Sequence, residues 1–264
     1  MMLRIASWNI NSVRLRAGTV ARFVEEAKPD VVCLQEIKCR DGEFPAAAFR
    51  DMGLKHLHIV GQKGWHGVAI ASRIKLEPVA LTLCPKAEAR AAAVRIDGIE
   101  LHNLYVPAGG DIPDPAANPK FAHKLDFVEA MRAYYKARDK SQPLVLVGDL
   151  NIAPGEFDVW SHKQLLDVVS HTPVETDGLK RVLSEGEFVD LARLHRPDPE
   201  KLFTWWSYRS PDWTKNNRGR RLDHIWTSQD LAPISQAAGF DIHVHCRSWE
   251  KPSDHVPVLA SLKI

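Results

Sequence analysis

Four short apolar runs in this chain stop or start at acids, amides or a histidine, and these junctions constrain the fold more than any other feature. The clearest run, Leu144-Val145-Leu146-Val147, is followed by Gly148-Asp149-Leu150-Asn151. Near-continuous runs of Val, Ile and Leu are typical of buried strands. The other runs lie within 5–9, 31–36 and 252–259, and the polar residues at all four junctions are Asn9, Glu36, Asp149, Asn151, Asp254 and His255.

These six polar side chains are costly to bury one by one, because a buried carboxylate or amide without a partner loses its hydrogen bonds to water. They can share one site if the four strand ends meet. Oxygen-rich groups of this kind are the ligands that hard cations prefer. The four junctions therefore predict one site that binds a hard cation.

Composition predicts a single soluble domain over residues 1–264, since no Gly/Ser linker, charge block or low-complexity stretch marks a boundary. The longest apolar runs have about half a dozen residues, against the roughly 20 that span a bilayer. The first residues show no basic n-region followed by an apolar h-region. The cysteines Cys33, Cys39, Cys84 and Cys246 have neither C-x-x-C nor zinc spacing. We therefore expect no membrane association, a reducing cytoplasmic location and, by default, a monomer.

Local charge is more informative than the overall net charge of +2. The stretch 201–221 carries six basic residues and one acid, together with five aromatic residues. Basic residues interleaved with aromatic ones suit a phosphate backbone with unstacked bases or sugars. This stretch predicts a nucleic-acid-binding surface.

Hydrophobic patterns predict mainly antiparallel strands with a few long helices. Helices are expected over 17–26 and 121–140, and 107–119 is expected to be a loop. Asp97-Gly98 predicts a tight turn between two antiparallel strands. The segments 64–71 and 76–83 are predicted to form a hairpin or meander. The remaining strands are expected at 3–9, 31–35, 91–96, 100–106, 144–149, 222–228 and 256–263, which together indicate two sheets packed on each other with helices outside.

Each acidic candidate also has an ordinary structural interpretation. Glu36 follows a buried strand and is suited to bind Mg²⁺, but it could equally be a surface acid paired with Lys38. Asp149 and Asn151 are two residues apart, so both point to one face of an extended segment and can hold a water molecule. The alternative for this pair is an Asx-turn that closes the strand.

The remaining candidates have alternatives of the same kind. His255 is suited to acid–base work or to a phosphate contact, or is a hydrogen-bonded structural histidine. Asp223 could fix such a histidine, or could form an ion pair with Arg221. Tyr105 could donate to a phosphate, or be a core residue with a satisfied hydroxyl. Because Trp205 is adjacent to Trp206, only one of the two can face the core of a strand.

Taken together, the motifs resemble those of the exonuclease III family of apurinic/apyrimidinic endonucleases, within the endonuclease/exonuclease/phosphatase superfamily. The resemblance runs nearly end to end and in family order. It is carried by seven segments, 8–14, 34–38, 61–64, 105–107, 148–154, 217–223 and 250–255, of which Gly148-Asp149-Leu150-Asn151 and Ser253-Asp254-His255 are examples.

The resemblance implies an α/β fold, a four-layer sandwich of two mainly antiparallel β-sheets flanked by helices, with pseudo-two-fold halves. It implies that Asn9, Asn11 and Glu36 line a metal site, with Glu36 as the principal ligand of Mg²⁺, for which Mn²⁺ can substitute. The family pattern also assigns catalytic roles by position. Asp149 would activate water or serve the leaving oxygen with Asn151 as its orienter, Tyr105 and His255 would contact the scissile phosphate, Asp254 would orient His255, and Asp223 would steady that cluster.

The residues that fall where the family touches DNA are Lys63, Arg90, Trp205 and Arg221. Two positions depart from the family pattern. Ala108 stands where Asn or Gln is frequent, and Arg220 stands where some relatives have an aromatic residue. Neither departure touches the chemistry, but both bear on how the chain holds DNA.

The resemblance implies a metal-dependent DNA repair phosphodiesterase acting on double-stranded DNA. It is expected to cut the backbone 5′ to an abasic site, leaving a 3′-hydroxyl, and to remove 3′ nucleotides or 3′ blocking groups. One rival is a superfamily phosphatase for small or lipid phosphates, whose binding would depend much less on salt. The other rival is a DNA-binding module without nuclease activity.

Overall fold

The computed structural model describes residues 2–83, 85–209, 212–236 and 238–264. One of the four cysteines, Cys84, lies outside the described residues. The strands are β1 (Met2–Asn9), β2 (Val31–Gln35), β3 (His56–Val60), β4 (Val68–Ser72), β5 (Glu77–Val79), β6 (Ala91–Ile96), β7 (Ile99–Tyr105), β8 (Leu144–Asp149), β9 (Phe188–Asp190), β10 (Asp223–Ser228), β11 (Phe240–Ile242) and β12 (Val258–Lys263). The helices are α1 (Val13–Ala27), α2 (Ala46–Asp51), α3 (Pro119–Ala137), α4 (His162–Leu165), α5 (Pro173–Glu185), α6 (Leu191–His195), α7 (Trp213–Asn216) and α8 (Ala232–Gln236).

The strands form two six-stranded sheets with the same ladder pattern. One sheet has the order β11-β12-β1-β2-β4-β3 and the other β5-β6-β7-β8-β10-β9. In each, the third and fourth strands are parallel and all other neighbours are antiparallel. A parallel pair needs a crossover, which α1 supplies between β1 and β2 and α3 supplies between β7 and β8. The predicted pseudo-two-fold halves are confirmed.

The core explains the order of the layers. Buried aliphatic side chains from both sheets, such as Ile5 and Val31 from one and Val94 and Val147 from the other, fill the space between them. The outer face of the first sheet packs against α1, where Phe23 lies in one apolar cluster with Leu34 and Trp8. On the outer face of the second sheet, α3 and α5 form the corresponding cluster. The predicted four-layer sandwich of two mainly antiparallel sheets flanked by helices is therefore confirmed.

The predicted hairpin of 64–71 and 76–83 is wrong. β4 pairs with β2 and β3, whereas β5 pairs with β6 in the other sheet. Residues 64–67 form a loop, because Gly64, His66 and Gly67 have φ values of 79°, 58° and 83°, which extended strands do not adopt. The turn predicted at Asp97-Gly98 is confirmed, and both residues have positive φ.

No helix in the described part of the chain is long and apolar enough to cross a membrane. The longest helix, α3, begins at Pro119 after Asn118, whose side chain accepts a hydrogen bond from the Lys120 N–H. Proline in the first helical position and a capping asparagine are strong helix starts. The loop before it therefore ends close to where the sequence predicts.

Arg221 lies in a buried ion cluster at the beginning of β10. Its guanidinium donates from Nε to Asp158 Oδ1 at 2.7 Å and forms an ion pair with Asp190 Oδ2 at 2.8 Å. Only 1% of Arg221 is exposed. The prediction that Arg221 contacts DNA is wrong, because its charge is already balanced by buried carboxylates. The alternative that pairs Arg221 with Asp223 is wrong for the same reason.

Replacing Arg221 with Met should lower the free energy of unfolding by about 3–5 kcal/mol, because the change leaves buried carboxylates without their partner. Chemical denaturation measures the loss. Lys215→Met is the matched control, since 78% of the Lys215 side chain is exposed, and its effect should stay within about 0.5 kcal/mol. Equal losses in the two variants would contradict a structural role for the cluster.

Candidate active site

One asparagine joins the two halves at the ends of their central strands. Asn9, the last residue of β1, is fully buried and donates from Nδ2 to Glu36 Oε1 at 2.9 Å and to Asp149 Oδ2 at 2.8 Å. Its Oδ1 accepts from the Asn11 N–H at 3.1 Å, which fixes the NH₂ group toward the carboxylates. The structure thus makes Asn9 a hydrogen-bond donor that joins Glu36 to Asp149, and its place in a metal site stays a prediction.

Glu36 presents a charged carboxylate at the edge of this cluster. It follows β2 with a φ of 49°, accepts from the Tyr105 hydroxyl at 2.8 Å and pairs with Lys38 Nζ at 2.8 Å. Burial opposes the charge, but Lys38 and the hydrogen bonds from Asn9 and Tyr105 hold the pKa of Glu36 below its usual value. The two interpretations of Glu36 are compatible, since it faces the site and is paired with Lys38.

Asn11 belongs to the same network through both ends of its side-chain amide. Its Oδ1 accepts from Lys38 Nζ at 2.5 Å, and its Nδ2 donates to Asp254 Oδ1 at 3.1 Å. The Lys38 ammonium group thus contacts both the Asn11 oxygen and the Glu36 carboxylate, and the place of Asn11 in a metal site stays a prediction. Of the three predicted metal residues, only Glu36 offers an ionised oxygen.

Asp149, the last residue of β8, is buried under the cluster. Asn151 donates its backbone N–H to Asp149 Oδ1 at 3.0 Å and its Nδ2 to Asp149 Oδ2 at 3.1 Å. The Asx-turn and the predicted pairing of acid with amide are therefore the same structure. Burial raises the pKa of Asp149 to about 7, with Asp223 acting in the same direction and His255 opposing them.

Asp223 and Asp149 contact opposite nitrogens of the His255 ring. His255 Nδ1 is 2.8 Å from Asp223 Oδ2, and its Nε2 is 3.6 Å from Asp149 Oδ2. Burial disfavours a charged imidazole, but the carboxylates Asp223 and Asp149 outweigh burial and raise the pKa of His255 to about 10. Thr204 Oγ1 holds the same Asp223 oxygen at 2.6 Å. Asp223 therefore both orients the ring and favours its protonated form.

The predicted role of Asp254 as the orienter of His255 is wrong. Asp254 accepts from Asn11 through one oxygen and from Trp205 Nε1 through the other, at 3.0 Å. Its carboxylate is directed toward Trp205, because Asp223 already occupies Nδ1 of His255. Asp254 thus connects the acid cluster to the aromatic surface beside it.

Tyr105 ends β7 beside Glu36, and a buried arginine supports it from behind. The Arg90 guanidinium lies 4.8 Å from the centre of the Tyr105 ring and also donates to Glu88. Burial, with Glu36 and Asp149 nearby, raises the pKa of Tyr105 well above its usual value, so its hydroxyl stays a donor. Arg90 is only 5% exposed and is engaged by Glu88, so it supports Tyr105, and its contact with DNA stays a prediction.

Two surfaces flank the acid cluster. Lys63 is exposed on the loop between β3 and β4, beside Trp65, which is 71% exposed. On the other flank, half-buried Trp205 lines a cavity of about 590 Å³ whose walls include Trp160, Arg218 and Arg220. Neither Trp65 nor Trp160 was among the predicted site residues, although Trp65 lies two residues from Lys63.

The donor set around Glu36 fits a hard cation. Mg²⁺ takes one or two protein carboxylates and completes its shell with water and phosphate oxygens. Among the described residues, Asp149, Asp223 and His255 also offer ligand atoms within 4.8 Å of one another. His255 already lies between the two carboxylates, 2.8 Å from Asp223 and 3.6 Å from Asp149, so Glu36, partly exposed and ionised, is the better fit for a cation.

Comparisons with known proteins agree with this geometry. Residues 6–255 match the Endonuclease/Exonuclease/phosphatase family. The chain is 33% identical to exodeoxyribonuclease III of Haemophilus influenzae over 99% of this chain and all of that protein. It superposes on an AP endonuclease from Archaeoglobus fulgidus with a TM-score of 0.91 at 34% identity, covering 99% of this chain and all of that one. For a Neisseria 3′ phosphatase bound to a product DNA hairpin, the TM-score is 0.88 at 30% identity, with the same coverage.

In the metal-free protein, the His255 imidazole should stay protonated through about pH 8, because its pKa is raised to about 10. Asp223→Asn should lower that pKa by about 1–3 pH units, since it removes the carboxylate bonded to Nδ1. The ¹⁵N chemical shifts of the ring, followed against pH, measure both values. Asp254→Asn is the control and should cause a smaller fall. A larger fall for Asp254→Asn would mean that Asp223 is not the partner of the ring.

Proposed function

The chain belongs to the exonuclease III branch of the Endonuclease/Exonuclease/phosphatase family, and from this membership we propose that it hydrolyses the DNA backbone 5′ to abasic sites and removes 3′ nucleotides or blocking groups in base excision repair. The observation that carries the proposal is the buried line from Asp223 through His255 to Asp149, joined to Glu36 by the Asn9 amide.

We assign the chemistry to groups whose protonation suits it. His255, as an imidazolium, donates to a non-bridging phosphate oxygen, and the Tyr105 hydroxyl supplies a second donor. Asp149, with a pKa of about 7, is suited to take a proton from water near neutral pH, and Asn151 orients it. The water oxygen bonds to phosphorus as the P–O3′ bond breaks, and the leaving 3′ oxygen takes a proton from solvent water, which gives a 3′-hydroxyl and a 5′-phosphate.

We propose that Glu36 holds Mg²⁺, for which Mn²⁺ can substitute. When bound, such a cation offsets negative charge on the phosphate as it is attacked. Lys38 already balances the Glu36 carboxylate in the same position, which supports a need for positive charge there. Asn9 fixes the spacing of Glu36 and Asp149, because its NH₂ group donates to both carboxylates.

The flanking surfaces are proposed to hold duplex DNA. The cavity beside Trp205 is the proposed place for the sugar at the lesion, which has no base to stack and so costs less to extrude. Arg218 and Arg220 on its walls and Lys63 on the other flank supply charge for phosphates. We also propose that the protein acts as a single-domain cytoplasmic monomer.

The first experiment uses a labelled duplex with one abasic site and an intact duplex, each with Mg²⁺ or EDTA. Wild type should cut at the lesion only with Mg²⁺. Asp149→Asn should lower the rate by about 10²–10⁴-fold, as expected for the loss of a general base. Asp51→Asn, on the exposed surface of α2, is the control and should cut normally. Binding without any cutting would instead support the module without nuclease activity.

Salt dependence tests the proposed DNA surface. Lys63→Ala should weaken duplex binding and reduce the slope of log K against log salt by about 0.9, the contribution of one phosphate contact. Lys55→Ala is the matched control, because Lys55 is equally exposed but precedes β3 whereas Lys63 follows it. Identical slopes for the two variants would remove Lys63 from the DNA contact. A binding constant that is insensitive to salt would favour the small-phosphate phosphatase.

A further inference from the structure

A fully buried ion pair lies beneath the acid cluster. Lys124 of α3 and Glu175 of α5 are both 0% exposed, and Lys124 Nζ is 2.5 Å from Glu175 Oε1. A buried pair of this kind is often no more stabilising than well-packed apolar residues of similar volume. Stability alone therefore gives a weak reason for charges at this place, and the other contacts of the pair provide a stronger one.

The ammonium group joins two segments of the active site. Besides Glu175, Lys124 Nζ donates to the Asn151 carbonyl at 2.8 Å and to the Ala108 carbonyl at 3.3 Å. Asn151 follows Asp149 by two residues, and Ala108 follows Tyr105 by three. All three ammonium hydrogens thus have acceptors, and no apolar side chain could hold both carbonyls.

The carboxylate holds a third segment in the same way. Glu175 accepts from the backbone N–H of Ser170 and Thr172 and from the Thr172 hydroxyl. Ser170 in turn accepts from the Ala153 N–H through its carbonyl and from Arg220 through its hydroxyl. The ion pair therefore connects the segment after Asp149 with the wall of the cavity beside Trp205.

The segments held by the pair have backbone conformations that need support. Asn151 and Ser170 have φ values of 53° and 86°, in a region that residues other than glycine seldom adopt. Such conformations persist when the surroundings hold them in place. In both cases, hydrogen bonds to Lys124 or Glu175 supply part of that support.

We propose that Lys124, held by Glu175, is a positioning residue that sets the location of Asp149 and Tyr105 relative to each other. The inference rests on the proposed function for its kinetic test but not for its structural test. Lys124 does not touch the reacting groups. It fixes their positions indirectly, through its hydrogen bonds to the backbone carbonyls of Asn151 and Ala108.

The test compares single and double replacements. Lys124→Met should unfold at a lower denaturant concentration, because Glu175 is left buried and unpaired. The double variant K124M/E175L should recover part of that loss, since it removes both charges but also the hydrogen bonds that the two side chains make to the backbone. Its kcat for abasic-site incision should nevertheless stay at least about tenfold below wild type, with KM within about threefold, because correct placement of catalytic groups affects the reaction step.

Hydrogen exchange supplies a readout that does not need activity. The N–H of Asn151 bonds to Asp149 Oδ1, and the N–H of Val106 bonds to the Asp149 carbonyl. In the double variant, both amides should exchange at least about tenfold faster than in wild type, while the amide of Ile5 in the middle of β1 should be unchanged. If wild type cuts no abasic duplex, the proposed function fails, and the exchange rates alone decide the role of Lys124.

The same two helices provide a matched control. Arg132 of α3 pairs with Glu185 of α5 at 2.7 Å near the surface. R132M/E185L removes this pair and should leave both kcat and the two exchange rates at wild-type values. The proposal is overturned if K124M/E175L, shown by circular dichroism to be folded, has kcat and both exchange rates within about twofold of wild type.

Discussion

The Asn9 amide is the interaction on which the active site depends. Two carboxylates, Glu36 and Asp149, approach each other from different sheets, and like charges this close repel. One NH₂ group donates to both and so fixes their spacing. The Asn11 N–H, bonded to the other end of the amide, determines its orientation. Asn9 consequently sets the spacing of the acids at the place where the two sheets meet.

The strands deliver their side chains to this point because the backbone turns sharply where each strand ends. Asn11, Glu36 and Asn151 all have φ values between 47° and 53°, which is uncommon outside glycine. Strain of this kind is retained where surrounding contacts determine the backbone. Buried Lys124 bonds to the carbonyl of Asn151 and so supports one of these turns, whereas Arg221 is held by Asp158 and Asp190.

The sequence predicted the parts of this structure that depend on local pattern. Strand runs and the junctions at Asn9, Glu36 and Asp149 follow from residue order alone, and the two-sheet sandwich follows from them. The hydrogen-bond and ion-pair partners of the site residues were not predictable, because they depend on which distant segment the fold brings next to each side chain. Asp223 rather than Asp254 binds His255, and Arg221 is neutralised by Asp158, which lies 63 residues away. Both Asp223 and Asp254 were candidates to orient His255, and only the fold determines that Asp223 is the partner.

The identical ladders of the two sheets have a consequence for the acids. Because β1 and β2 correspond to β7 and β8, Glu36 and Asp149 stand at the ends of equivalent strands. Lys38 and hydrogen bonds hold the pKa of the first below its usual value, whereas burial raises the pKa of the second. Equivalent positions in the two halves thus hold acids with different roles. Glu36 is suited to bind positive charge, and Asp149 is suited to accept a proton. The two halves have nearly the same fold, and the opposite pKa shifts of these two acids make the two sides of the site chemically different.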